Sequence, residues 1–243
     1  MCTVTFIPSR HQVCFTSNRD ENTLRARAIY PEVYRFSTGK ILFPKDADAG
    51  GTWIAVHENG DAVVFLNGGI TKHIPNPPYR KSRGLILLEL IDSSGPFDVF
   101  QSLNLKRIEP FTAIIWQAGN LYECRWDGSA KYVVQPDHSV PHIWSSVTLY
   151  GPEVIARREQ WFREWLNEHP DPTREDILKF HQFTGDGDSR NDLRMNRDGE
   201  TFTVSITSLQ IDSSGSSIKY LDLRTGDKII SELNSTKTQP VLK

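Results

Sequence analysis

The sequence predicts an α+β fold of layered antiparallel sheets with helices packed outside them, and three observations carry that expectation. Runs of alternating β-branched and aromatic residues recur early, midway and late in the chain. Tight-turn dipeptides such as Asn59-Gly60 join consecutive runs, and helical patterns fall between them in groups. At 243 residues the chain is long enough to bury a full core, and one domain over 1–243 is expected.

The elements follow in order. Residues 2–7 (CTVTFI) and 11–17 (HQVCFTS) read as a hairpin around Pro8-Ser9-Arg10. If residues 7 and 11 pair, partners sum to 18, Cys2 faces Thr16, and Asn18 to Glu21 leave the ladder beside the first residues. At ~3.3 Å per strand residue, Arg19 and Asp20 then lie about 10 Å or less from Cys2. TWIAVHENGDAVVFLN (52–67) is two strands turned at Asn59-Gly60, ending on Asn67-Gly68-Gly69. FTAIIWQ, LYECRW and KYVVQ (111–135) form a meander, and TFTVSITSLQI with SIKYLDL adds two late strands, for at least eight in all. Helices are expected over 80–91, over 152–169 with Pro152 in the first turn, and from Asp171-Pro172 to about Phe183 with the aspartate as cap. Residues 184–200 lack apolar periodicity and read as a long polar loop of the functional or mobile kind.

Composition narrows the function. Twenty-eight Lys and Arg against 30 Asp and Glu give a formal charge of -2, which argues against nucleic acid or an anionic membrane as main partner. Three cysteines without metal-site spacing favour a reducing, cytoplasmic setting. Neither a signal peptide nor a membrane span is expected. His138 and His142 have a helix-like metal spacing, but Pro141 argues against a helix there and no partner ligand is evident, while DGDSRND (186–192) departs from a calcium loop at Arg190 and lacks the terminal glutamate, so no metal site is expected. Arg80, Lys81 and Arg83 read more readily as a solvated face than as a contact for an anionic substrate.

Cys2 is the candidate nucleophile. A thiol attacks as thiolate, and removal of Met1 would place an α-amino group of pKa ~7.7–8 on the residue that carries the sulfur. Arg19 would favour the thiolate and Asp20 would orient amine and thiol, with Asn18 and Glu21 completing the cluster as candidate substrate contacts. The competing reading is a packed cysteine beside a surface ion pair. Cys14 and Cys124 read as packing residues.

MC at the start, NRDE at 18–21, GGTW at 50–53, HENG at 57–60, FLNGG at 65–69 and SRG at 82–84 together resemble the NRDE family, with IWSSVTLYGPE and TVSITSLQID extending the match. That family is the Transport and Golgi organisation 2-like group, similar in turn to the N-terminal nucleophile cysteine hydrolases. The resemblance implies a four-layer αββα sandwich, Cys2 as nucleophile flanked by Arg19 and Asp20, and Asn67 as the oxyanion-hole donor, against a plain turn role for Asn67. Two positions depart from the hydrolases. Ser145 stands where a second asparagine is expected, and Val204 stands where a late-strand arginine is expected, leaving Arg197 as a displaced substitute. Ser145 and Arg197 join the candidate substrate contacts.

The function implied is a cysteine amidase or acyltransferase acting on a small molecule at a non-peptide C–N bond, with no cofactor required. The alternative is a binding or trafficking protein for a haem-like or lipid-like ligand, with Cys2 as iron ligand or pocket lining.

Overall fold

The structure, a computed structural model, describes residues 3–236. The chain runs through β1 (Thr3–Pro8), β2 (Gln12–Asn22), β3 (Ile29–Arg35), β4 (Lys40–Lys45), β5 (Ile54–His57) and β6 (Ala62–Asn67). Helices α1 (Arg83–Ile91) and α2 (Pro96–Ser102) follow, then β7 (Phe111–Gln117), β8 (Asn120–Trp126), β9 (Lys131–Val134) and β10 (His142–Ser145). Helices α3 (Pro152–Glu168) and α4 (Arg174–Phe183) precede β11 (Asn196–Arg197), β12 (Thr201–Asp212), β13 (Gly215–Asp222) and β14 (Lys228–Asn234).

The strands form two antiparallel sheets, ordered β10-β1-β2-β12-β13-β14 with β11 beside β12, and β3-β4-β5-β6-β7-β8-β9. Alternation along each strand sends one set of side chains between the sheets and the other toward helices. Val4, Phe6, Val13 and Phe15 meet Leu42, Ile54, Val56 and Ile114 between the sheets. On the outer face of the second sheet, Ile41, Phe43 and Val63 pack against Ile86, Leu87 and Leu90 of α1. On the outer face of the first, Ile7 and Cys14 pack against Phe162 of α3 and Ile177 and Phe180 of α4. Two sheets face to face with helices outside each make the expected αββα sandwich. Among the described residues, no helix is long and apolar enough to cross a membrane.

Several expected details differ. The first hairpin pairs Pro8 with Val13 and Thr3 with Asn18, so partners sum to 21 rather than 18, and Thr16 faces Thr5. The reason is the turn: Ser9 N–H donates to Gln12 O at 2.8 Å, a four-residue reversal that leaves Pro8 in the strand. Asn18 to Glu21 do not leave the ladder either, because β2 continues to Asn22 by pairing with β12. Helix α1 starts three residues later than expected, at Arg83, where the Ser82 side chain accepts from Leu85 N–H. Helix α4 starts at Arg174 behind Thr173, not behind Asp171. The 184–200 segment contains the short strand β11 and is anchored by the buried Leu193 and Met195.

Candidate functional site

Strand periodicity divides the 18–21 cluster between the two sides of the first sheet. Arg19 and Glu21 point toward the second sheet and line a cleft of about 590 Å³. Asn18 and Asp20 point toward the helical layer and are not among the residues lining it.

Within the cleft, Arg19 Nη2 donates to Asp46 Oδ2 at 2.9 Å, lies 3.4 Å from Glu21 Oε1, and its guanidinium sits 4.6 Å from the Trp53 ring centre. Burial tends to raise the Asp46 pKa, but the Ala49 amide and the charges of Arg25 and Arg19 outweigh it and hold the carboxyl below its usual range. The opposite wall is the start of α1. Gly51 and Gly84 let the two walls touch, since a Cβ on Gly51 would stand 2.7 Å from Leu85 N and 2.8 Å from Gly84 Cα. These are the glycines of the GGTW and SRG motifs. Arg83, lining the same cleft, pairs with Glu109 at 3.2 Å, and its desolvation lowers the guanidinium pKa against the pull of Glu109.

Asn67 closes β6 and lines the cleft, half-buried. Its main-chain carbonyl accepts from Ser146 Oγ at 2.8 Å, and Gly68 turns the chain at φ 87, a left-handed conformation that suits glycine. Asn67 therefore combines the turn role with a place in the cleft. Ser145 pairs with Thr3 in the β10–β1 ladder and does not line the cleft; the neighbouring Ser146 is the serine that reaches the end of β6.

Asn18 is wholly buried. Its amide nitrogen donates to the carbonyls of His181 at 3.1 Å and Leu193 at 2.6 Å, so its Oδ1 is left to accept from His181 Nδ1 at 2.6 Å. His181 Nε2 then accepts from Thr5 Oγ1 at 2.8 Å. Burial first, and the nearby Arg158 charge second, push the His181 pKa down to about 3, so the ring is neutral. Asn18 thus has both ends of its amide committed within the protein, to α4 and to the segment that carries Leu193.

Asp20 is nearly as buried, and both its oxygens are held: Oδ2 accepts from Tyr150 Oη at 2.8 Å and Oδ1 from Thr203 Oγ1 at 2.6 Å. Thr203 faces Asp20 because the β2–β12 register shifts between Thr203 and Ser205, a bulge that contains Val204. Arg197 donates to Leu149 O at 2.8 Å and lies 5.2 Å from the Tyr150 ring centre, which places it beside Tyr150 rather than in the cleft. Tyr150 and Thr203 stand in the IWSSVTLYGPE and TVSITSLQID stretches and were open to sequence reasoning only as motif members, since their link to Asp20 spans 130 and 183 positions.

Cys2 lies outside the described residues. The first described residue, Thr3, pairs with Asn18 and with Ser145, and its Oγ1 accepts from Arg158 at 2.5 Å. Cys14 is buried with Sγ 3.3 Å from Ser208 Oγ. Burial pushes the Cys124 thiol up to about 12, which removes it as a nucleophile. Among the described residues no group of three or more His, Cys, Asp and Glu is placed to hold a metal ion.

Comparison with solved structures shows the same fold in an acid amidase and in a conjugated bile acid hydrolase. An N-acylethanolamine-hydrolyzing acid amidase ortholog from Caenorhabditis elegans matches with a TM-score of 0.61 at 12% identity, covering 86% of this chain and 92% of that one. A mutant of conjugated bile acid hydrolase from Clostridium perfringens matches with a TM-score of 0.54 at 12% identity, over 100% of this chain and 99% of the other. At this identity the likeness establishes the N-terminal nucleophile hydrolase fold alone. No curated protein matches the sequence. A family model described as Transport and Golgi organisation 2 matches residues 1–220, and the chain belongs to that family.

Proposed function

We propose that the protein is an N-terminal cysteine hydrolase or acyltransferase acting on a non-peptide C–N bond of a small molecule, with Cys2 as nucleophile once Met1 is removed. The observation that carries the reading is the joint placement of Arg19 and Asn67 on one cleft, with the β1–β2 ladder reaching Thr3–Asn18, the residues that follow Cys2 and precede Arg19 in the chain.

Cys2 Sγ attacks the amide carbonyl carbon and forms a C–S bond, while the α-amino group takes the thiol proton. The negative charge that develops on the carbonyl oxygen is met by the Asn67 side chain, and the positive field of Arg19 favours the thiolate. As the C–N bond breaks, the ammonium returns its proton to the departing amine. Water, or an acceptor nucleophile in acyl transfer, then cleaves the thioester and restores the thiol. Intact-protein mass spectrometry of Met1-free protein incubated with a panel of amides is expected to show a transient acyl adduct at Cys2, lost in Cys2→Ala. No adduct across the panel overturns the reading.

A second reading, retention of a lipid-like or haem-like ligand without turnover, is favoured by a groove of about 630 Å³ lined by Ile70, Val147, Leu149, Tyr150 and Ile155, on the other side of the Asn67–Thr148 contact. Among described cleft and groove residues, only tyrosines (Tyr79 and Tyr150) are of a type that ligates haem iron, and Tyr150 already serves Asp20, so haem would rest on Tyr79 or on Cys2. Titration with haem separates the cases: a saturable spectral shift lost in Cys2→Ala supports binding, and no shift removes it.

A further inference from the structure

The helix α3 residue Arg158 is wholly buried, yet among the described residues its hydrogen-bond partners are neutral: Thr3 Oγ1, Asn191 O at 2.9 Å and Asp192 O at 2.7 Å. A buried cation without a carboxylate is costly unless every donor is used and a compensating group lies close. Here the guanidinium carbon lies 3.6 Å from the centre of the Tyr150 ring, within cation–π range. Arg197 approaches the same ring at 5.2 Å and fastens the preceding residue through Leu149 O. The hydroxyl of that ring is the one that donates to Asp20. Positive charge beside a phenol makes its O–H more acidic and so a stronger hydrogen-bond donor. One carboxylate on β2 is thereby tied to the loop before α3, to α3 itself and to β11.

We propose that Tyr150, held by Arg158 and Arg197, is a positioning residue for Asp20, so that the two arginines act on the Cys2 centre through the tyrosine and not by touching substrate. This rests on the proposed role of Asp20 in orienting the Cys2 amine and thiol. It gives Arg197 a function different from the substrate contact expected of it, and it gives Arg158 one that the motifs do not mark. The Thr3 contact of Arg158 adds a second route, because it fixes the end of β1 as well as the tyrosine.

The test reads the thiol directly and needs no turnover. Met1-free full-length protein is alkylated with iodoacetamide between pH 6 and 9, and modification of Cys2 is followed by peptide mass spectrometry, with the buried Cys14 and Cys124 as internal controls. Tyr150→Phe keeps the ring and loses only the hydroxyl. It is expected to slow Cys2 alkylation at pH 7 about threefold or more and to move the midpoint of the pH profile. Arg197→Met is expected to do the same more weakly, with Arg197→Lys restoring part of the loss. Variants that lower the thermal midpoint but leave both the rate and the pH midpoint of Cys2 alkylation unchanged overturn the proposal. Acyl adducts forming equally in wild type and Tyr150→Phe, with equal alkylation profiles, sink the positioning role and leave the amidase reading standing. A changed profile with no adduct on any amide does the reverse.

Discussion

Arg19 and Asp20 are neighbours in sequence whose side chains serve opposite sides of one sheet. The first is committed to Asp46 and Trp53 in the cleft, the second to Tyr150 and Thr203 beneath the helices. Asn67, across the cleft, has its main chain fixed by Ser146, which leaves the side chain as the part able to answer a substrate. Asn67→Ala is expected to reduce the rate of Cys2 acyl-adduct formation about 100-fold or more, the usual loss for one oxyanion donor, while urea unfolding stays close to wild type. A variant that acylates at the wild-type rate would confine Asn67 to its turn. That Arg19, Asp20 and Asn67 are candidates is legible from their motifs. That Asn18 belongs to a buried histidine network was not, because its partners His181 and Leu193 lie 163 and 175 positions away.

Helix starts illustrate how local chemistry sets an element. Thr173 Oγ1 accepts from Asp176 N–H at 3.3 Å while Asp176 Oδ2 accepts from Thr173 N–H at 3.1 Å, a reciprocal capping box. Asp171 also has a capping side chain, but the Thr-x-x-Asp spacing begins two residues later and wins. Thr173→Ala is expected to cost about 1 kcal/mol in chemical denaturation and Asp171→Ala close to nothing; equal losses would reinstate Asp171 as the cap. Gly51 makes a second case, since both facing atoms belong to main chain that has little room to yield. Gly51→Ala should destabilise by about 1–3 kcal/mol and displace the start of α1 from the cleft wall, and a wild-type unfolding midpoint would contradict that. Strand β3 (IYPEVYR) carries no clear strand signal in the sequence, because Pro31 and its charged residues interrupt the apolar alternation. The same residues suit a sheet edge, where a missing N–H and charged side chains discourage further pairing. Strand β14 lies at the edge of the other sheet and is mostly exposed, which deprives it of a strong apolar pattern.

Across the whole molecule, His181 joins α4 to β1 and β2 through Thr5 and Asn18. With a folded pKa of about 3 against an ordinary 6.5, the unfolded chain takes up the proton first as pH falls. Its contribution is therefore fully present above pH ~6.5 and is lost progressively between there and ~3, at up to about 1.4 kcal/mol per pH unit. Urea unfolding from pH 7.5 to 4.5 is expected to show falling stability with a steeper slope in wild type than in His181→Gln. Carboxylates also titrate over that range, so the comparison between the two proteins isolates the histidine, and identical slopes would exclude it.

Sequence by itself determined the layered α+β class, the β5–β6 hairpin and the β7–β8–β9 meander, the long helix from Pro152 and the family, because alternation, turn dipeptides and short motifs are written in consecutive residues. Tertiary structure alone decided which motif members share a site. The register of the first hairpin, the division of the 18–21 cluster across the sheet, and the convergence of Tyr150, Arg158 and Thr203 around Asp20 all depend on contacts between segments far apart in the chain. Burial and hydrogen-bond commitment, which engage Asn18 and Arg197 with main-chain carbonyls of distant segments, arise only once the layers close.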